Sequence, residues 1–212
     1  DRQHAARRDR PLTDLSGNIV QGNSVVDDRQ VDERALNWPE RFPAVSARGG
    51  FDAVVGNPPY VRHHHVQPIK PHLEERYASF HGLADLYVYF FELGIRLLRP
   101  GGRMAYIAPN KWMKTNYGER IRNLLTNDAW VEMLADFSHA KSFFDDVDVF
   151  PSFLVARKPT PDSEVPDLRI FTSSDNRIDI STLRAAIKVG ATTFDRSRLR
   201  GEAWVLEVGA GM

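Results

Sequence analysis

The stretch Phe51-Asp52-Ala53-Val54-Val55-Gly56-Asn57-Pro58-Pro59-Tyr60 decides the fold class of this chain. Its first half is an almost continuous apolar run between glycines, which predicts a strand buried on both faces of a parallel sheet. Two prolines after an asparagine then end that strand. We therefore expect residues 57–60 at the carboxyl end of a sheet, where α/β proteins bind their ligands.

Strand and helix patterns alternate outward from this stretch. A short strand is predicted before it, over residues 18–21. After it come a polar loop to about residue 72, a helix over 84–98, a strand over 103–108, a helix over 117–125, strands over 130–137, 152–157 and 168–171, and a helix over 180–189. Such alternation predicts an α/β domain with a parallel sheet.

The totals indicate an ordinary globular chain of 212 residues, 42% hydrophobic and 26% charged. No apolar run approaches the roughly 18–20 residues of a membrane span, and no secretory signal is visible. Absence of cysteine excludes disulfides and thiolate metal sites and favours a cytoplasmic location. The 28 basic and 28 acidic residues balance, so any nucleic-acid contact needs a local basic patch.

The tetrapeptide at residues 57–60 suits chemistry on an exocyclic amine. Such a nitrogen is a poor nucleophile because its lone pair is delocalised into the ring. Acceptors aimed at both N–H bonds free that pair, and the Asn57 side-chain oxygen and the Pro58 carbonyl are the candidates. Pro58 and Pro59 hold the backbone in place, and Tyr60 offers a face for a flat base. The alternative interpretation is a rigid turn after a strand.

Residues 51–158 resemble the γ-type adenine-N6 DNA methyltransferases, in particular the methylase domain of Eco57I-like restriction–modification enzymes. The resemblance rests on four segments in family order, which are Phe51-Asp52-Ala53-Val54-Val55-Gly56-Asn57-Pro58-Pro59-Tyr60-Val61-Arg62, Ala84-Asp85-Leu86-Tyr87-Val88-Tyr89-Phe90-Phe91-Glu92, Leu98-Arg99-Pro100-Gly101-Gly102 and Ile107-Ala108-Pro109-Asn110-Lys111-Trp112-Met113. It covers about half of the chain strongly and residues 18–27 more weakly.

The resemblance implies a Rossmann-like, S-adenosylmethionine-dependent methyltransferase fold that methylates adenine N6 in double-stranded DNA with the target adenine flipped out. Asn57 and the Pro58 carbonyl would bind N6. Tyr60 and Phe144 would stack on the base, although Phe143 is close in register. Asn23, where the family more often has Asp, would contact the cofactor.

The resemblance also sets the expected organisation, because the family's glycine-rich cofactor loop should precede residue 18 and is absent. The first residue is Asp1 and the last is Met212, so we expect a segment of a larger protein. Residues 1–158 would be a partial catalytic domain, incomplete at its N-terminus, and residues 159–212 a linker and the start of the next region. We expect this segment alone to fold poorly and to lack activity. Expected partners are a restriction endonuclease, fused or separate, and a target-recognition domain.

Candidate DNA contacts are Arg62, Lys70 and Lys111. We predict no metal site, because adjacent side chains of His63-His64-His65 point in different directions in a loop and no cysteine accompanies them. Two rival functions stay open. A protein glutamine-N5 methyltransferase presents an amide nitrogen to the same tetrapeptide, and a non-catalytic remnant would bind DNA without turnover.

Overall fold

The computed structural model describes residues 17–138, 150–173, 179–199 and 203–206. Its α-helices are α1 (Trp38–Arg41), α2 (Pro43–Ser46), α3 (Lys70–Arg76), α4 (Leu86–Leu97), α5 (Glu119–Asn127) and α6 (Ile180–Gly190). Its strands are β1 (Phe51–Gly56), β2 (Leu98–Pro109), β3 (Trp130–Asp136), β4 (Pro151–Arg157), β5 (Leu168–Thr172) and β6 (Thr192–Phe194). Short 3₁₀ helices cover His63–Ile69, Asn110–Met113, Asn116–Gly118 and Arg196–Arg198.

The six strands form one sheet in the order β1-β2-β4-β3-β5-β6. Neighbours β1 and β2 are parallel, as are β3 and β5. Strand β4 lies antiparallel between β2 and β3, and β6 is antiparallel to β5. The expected α/β architecture is confirmed, but the expectation of a purely parallel sheet is wrong, because β4 turns back into the sheet from the end of β3.

Strand β1 occupies an edge of this sheet within the described residues, so the expectation that it is buried on both faces is wrong. The side chain of Val55 is 77% exposed. The strand predicted over residues 18–21 is also absent, since Ile19 is 71% exposed and the nearest pairing is an isolated bridge between Asn23 and Ala35. A strand needs a hydrogen-bonded neighbour, and residues 18–21 pair with none in the described chain.

Helix α4 provides much of the core behind β1 and β2. Helix α4 ends at Leu97, and β2 begins directly at Leu98. Pro100 disfavours helical geometry at Arg99, so the helix could not continue past this point. Gly94 permits the close approach, because a Cβ there would collide with the Met104 sulfur of β2. Tyr87 and Phe91 of α4 are fully buried, so the helix is held rigidly against the sheet.

The sheet continues past residue 158, since β5 pairs with β3. Trp204 also returns to the core, where its backbone N–H donates to the Met113 carbonyl at 2.8 Å and its ring lies 5.2 Å from that of Trp112. The division of the chain at residue 158 stays a prediction. Among the described residues, no helix is long and apolar enough to cross a membrane.

Candidate active site

The tetrapeptide at residues 57–60 lies directly after the carboxyl end of β1, in the position expected of it. Pro58 is buried, Asn57 and Pro59 are exposed, and Tyr60 is partly buried. The missing N–H groups of the two prolines leave this backbone without donors of its own at both positions. Among the described residues, no backbone hydrogen bond outside the helices and the sheet uses the carbonyl oxygens of residues 57–60.

An open cleft of about 220 Å³ adjoins the tetrapeptide. Ser24 and Trp38 line it from one side, and Phe90, Leu93 and Leu97 of α4 line it from another. The remaining walls come from the end of β1, Asn57, Pro58, Pro59 and Tyr106. The sequence predicted a helix over residues 84–98, but no pattern indicated that Ser24 and Trp38 would lie against it.

This cleft fits part of a cofactor with a flat heterocycle. Trp38, Phe90 and Pro58 supply apolar faces, and Asn57 stands at the rim. Its volume is below the roughly 300–1,000 Å³ of complete small-molecule sites. The volume of the cleft is therefore sufficient for one end of a molecule such as S-adenosylmethionine rather than for the whole molecule.

Asn23, the predicted cofactor contact, is already engaged in local hydrogen bonds. Its Nδ2 donates to Asp32 Oδ2 at 2.9 Å, and its Oδ1 accepts from the Val25 N–H at 3.3 Å. The Asn23 bond is also the largest cause that lowers the pKa of the partly buried Asp32 carboxyl. Ser24, its neighbour, is the residue that lines the cleft, so a cofactor role for Asn23 stays a prediction.

Tyr60 rests on the N-terminal part of α4. Its ring meets that of Tyr87 edge-on, with centroids 6.4 Å apart. Tyr87 is held in turn by a 3.0 Å hydrogen bond between its hydroxyl and that of Tyr117. The Tyr60 hydroxyl oxygen is buried without a hydrogen-bond partner, and burial raises the pKa of Tyr60 above its ordinary value.

Two hydrogen bonds join the chain after the tetrapeptide to the start of α4. The Leu86 N–H donates to the Val61 carbonyl at 2.9 Å. The His63 N–H donates to the carboxylate of Asp85, also at 2.9 Å. Sequence patterns did not single out Asp85 for any role, because its partner lies 22 residues away along the chain.

The three candidate DNA contacts lie on separate elements. Arg62 and Lys70 flank the 3₁₀ helix His63–Ile69, and Lys111 is exposed in the 3₁₀ helix after β2. Lys70 Nζ donates to the Gly82 carbonyl at 2.6 Å, so that side chain is partly engaged. No group of three His, Asp or Glu suited to a metal occurs among the described residues.

A second polar cluster lies at the same edge of the sheet, at the ends of β2 and β3. Asn110 Nδ2 donates to Asp136 Oδ1 at 2.9 Å and to Ser138 Oγ at 2.7 Å. The Asn110 N–H donates to the Phe150 carbonyl at 2.9 Å. Asn110 thus contacts the residues on both sides of segment 139–149, and the predicted base-stacking residue Phe144 lies in that segment, outside the described residues.

Solved structures that share this fold include methyltransferases. The methyltransferase subunit of a type I restriction–modification system from Streptococcus thermophilus superposes with a TM-score of 0.53 at 18% identity, covering 76% of this chain and 37% of that one. The type IIG restriction endonuclease BpuSI gives a TM-score of 0.52 at 20% identity, over 70% of this chain and 19% of its own. The fold is therefore that of the Rossmann-like S-adenosylmethionine-dependent methyltransferases.

The chain belongs to the Eco57I restriction-modification methylase family, whose profile matches residues 3–144. The type II methyltransferase M.PaeR7I of Pseudomonas aeruginosa is 33% identical over 176 residues, covering 78% of this chain and 30% of that protein. The type II restriction enzyme and methyltransferase RM.Eco57I of Escherichia coli is 27% identical over 208 residues, covering 92% of this chain and 19% of that protein. This chain spans less than a third of either relative, and the family predicted from sequence is confirmed.

Proposed function

We propose that this chain is the catalytic part of an enzyme that transfers a methyl group from S-adenosylmethionine to adenine N6 in DNA. The observation that carries the proposal is the position of Asn57-Pro58-Pro59-Tyr60, at the carboxyl end of β1 and on the rim of an apolar cleft. Family membership supports methyl transfer in general. The chemistry of the tetrapeptide supports an N–H nitrogen as the methyl acceptor, and the choice of adenine N6 rests on the resemblance of residues 51–158 to the adenine-N6 methyltransferases.

Each residue of the tetrapeptide has a role in this proposal. Asn57 Oδ1 and the Pro58 carbonyl oxygen would each accept a hydrogen bond from one N–H group of N6. These two hydrogen bonds would reduce the delocalisation of the nitrogen lone pair into the ring. As positive charge develops on the nitrogen, the same two acceptors stabilise it. Tyr60 would stack on the base, and Pro59 keeps the backbone rigid so that the acceptors need no reorganisation.

The cleft beside Asn57 is where the cofactor would lie, with Ser24, Trp38 and Phe90 as its walls. S-adenosylmethionine supplies an electrophilic methyl group on a sulfonium. The apolar walls of the cleft would limit the water around Asn57, which would strengthen its hydrogen bond to N6. Asn23 would contribute only if it released Asp32.

Duplex DNA would have to present the adenine by flipping it out of the stack, at a cost of a few kcal/mol. Stacking on an aromatic ring returns about 1–3 kcal/mol. Arg62, Lys70 and Lys111 are the proposed phosphate contacts, which must act locally because the chain has no net charge. A target-recognition domain and a restriction endonuclease are the proposed partners.

The test is to incubate the complete protein that contains this chain with labelled S-adenosylmethionine and mixed-sequence duplex DNA. Digestion to nucleosides should show the label in N6-methyladenine, and Asn57→Ala should abolish it. Asn127→Ala, an exposed position at the end of α5, is the matched control and should leave labelling unchanged. Label in an added protein substrate instead of DNA would establish the glutamine enzyme. DNA binding with no transfer to any acceptor would establish a non-catalytic protein.

A further inference from the structure

The tetrapeptide is anchored unevenly at its two ends. On the N-terminal side, β1 holds it through the sheet, where Gly56 pairs with Tyr106 of β2. On the C-terminal side, Pro58 and Pro59 offer no N–H donors, and no hydrogen bond outside the sheet joins residues 57–60 to another described segment. Beside the contact of the Tyr60 ring with Tyr87, the hydrogen bonds at Val61 and His63 therefore hold the backbone that follows the tetrapeptide.

Both of those contacts are made by the two residues that begin α4. The Leu86 N–H binds the Val61 carbonyl, and the Asp85 carboxylate accepts the His63 N–H. Leu86 contributes a backbone group, which any residue would supply. Asp85 contributes its side chain, so it is the contact that depends on sequence.

Asp85 makes this bond in place of another that its position favours. It is the N-cap residue of α4, with extended backbone angles, and an aspartate there usually accepts a hydrogen bond from its own helix. Its carboxylate makes no such bond. Asp179, the N-cap of α6, shows the usual arrangement, because its carboxylate accepts from the Ser181 N–H at 2.8 Å.

We infer that Asp85 is a positioning residue for methyl transfer, which holds the backbone after Tyr60 through the His63 N–H and so sets the direction of Asn57 and the Pro58 carbonyl. The inference rests on the proposed function for its choice of acceptors. Helix α4 is a suitable support, since its residue Tyr87 is fully buried and the Tyr60 ring packs against the Tyr87 ring in a T-shaped contact. Positioning of this kind changes the transition state more than it changes binding.

Four variants separate the hydrogen bond from the side chains that surround it. Asp85→Ala removes the acceptor, whereas Asp85→Asn keeps an acceptor oxygen without the charge. His63→Pro removes the N–H donor. Proline is tolerated at this position, because His63 is the first residue of a 3₁₀ helix and the preceding residue, Arg62, has an extended backbone with φ −69° and ψ 149°. His63→Ala keeps the donor. Asp179→Ala is the control, because it removes a carboxylate that accepts a backbone N–H hydrogen bond in α6, away from the tetrapeptide.

The kinetic experiment measures kcat and KM in the complete protein, using whichever acceptor takes label from S-adenosylmethionine. Asp85→Ala and His63→Pro should each lower kcat about 10- to 100-fold with little change in the KM for the cofactor, because a small misplacement of reacting groups is costly. Asp85→Asn, His63→Ala and Asp179→Ala should stay within about threefold of wild type, since each keeps the bond between Asp85 and His63. The double variant Asp85→Ala with His63→Pro should be no worse than either single change.

Hydrogen exchange of the His63 amide decides the inference without any activity. Protection should fall in Asp85→Ala and persist in Asp85→Asn. Wild-type protection in Asp85→Ala, equal kcat loss in Asp85→Ala and Asp85→Asn, or additive losses in the double variant would each overturn it. If wild-type protein labels no adenine, the proposed function fails, while the exchange data still decide the role of Asp85.

Discussion

Tyr60 is partly exposed, yet its hydroxyl oxygen is buried and has no hydrogen-bond partner. A buried polar group without a partner costs about 1–3 kcal/mol. Tyr60→Phe should therefore leave the free energy of unfolding unchanged or raise it, and should keep activity. Tyr60→Ala should lower kcat/KM about 10- to 100-fold, because stacking on a base contributes about 1–3 kcal/mol. Urea unfolding and the labelling assay provide the two measurements.

Tyr117→Phe is the matched control for the loss of a hydroxyl. It removes the 3.0 Å bond to the Tyr87 hydroxyl, so it should lower the free energy of unfolding by about 0.5–1.5 kcal/mol. Equal destabilisation by Tyr60→Phe and Tyr117→Phe would contradict the interpretation of the Tyr60 hydroxyl as unpaired.

Residue positions could be predicted where the local sequence determines them, whereas the roles of the candidate site residues stay predictions. Asn57 and Pro58 stand out because a strand followed by two prolines has few other conformations. Asp85 could not be recognised, since its partner His63 is brought to it by the loop and the 3₁₀ helix between them. Ser24 was missed for the same reason, because only the packing of Trp38 and α4 makes its surroundings a cleft.

At the scale of elements, Asn110 ties β2 to β3. Its side chain donates to Asp136 and Ser138, and its backbone N–H donates to the Phe150 carbonyl before β4. Asn110→Ala should lower the free energy of unfolding by about 1–3 kcal/mol, because one buried and one partly buried hydrogen bond are lost. Urea denaturation of the variant and the wild type measures the difference.

Two further variants sharpen that prediction. Asn110→Asp should destabilise more than Asn110→Ala, because it places a second carboxylate against that of Asp136. Asn127→Ala, exposed at the end of α5, should change stability by less than about 0.5 kcal/mol. A smaller effect for Asn110→Asp than for Asn110→Ala would contradict this prediction.

Elements were predictable where hydrophobic periodicity was long. The helix expected over residues 84–98 is α4 (Leu86–Leu97), and the strand expected over 130–137 is β3 (Trp130–Asp136). Pairing was not predictable, because the direction of β4 depends on neighbours that the sequence does not name. The burial of β1 was overestimated for a related reason. An apolar strand has the same sequence pattern at the edge of a sheet as in its centre, and only the structure shows that Val55 is exposed.

At the scale of the whole molecule, aromatic side chains connect the parts. The ring of Phe91 on α4 lies 5.1 Å from that of Trp112, and Trp112 packs in turn on Trp204. This chain of contacts runs from the helix behind the tetrapeptide to residues far beyond 158. Trp204 therefore packs on the same aromatic cluster as Phe91 of α4.

Burial also raises the pKa of every one of the six tyrosines above the ordinary value of 10. For Tyr106, which is 7% exposed, the pKa rises to about 12. A pKa raised by folding means that the folded chain holds the proton more tightly than the unfolded chain. Its contribution to stability is complete below about pH 10 and is lost as the pH rises through about 12.

Tyr106→Phe should therefore flatten the loss of stability in alkali. The ring still stacks on Phe91, but no phenol remains to ionise. Between pH 10 and 12 the wild type should lose on the order of 2–3 kcal/mol more than the variant, since two pKa units correspond to about 2.7 kcal/mol. Urea unfolding at a series of pH values measures this difference. Tyr60→Phe is the control at a less buried tyrosine, and it should flatten the dependence of stability on pH less than Tyr106→Phe does. Parallel alkaline profiles for wild type and Tyr106→Phe would mean that the Tyr106 hydroxyl reaches water in the folded state.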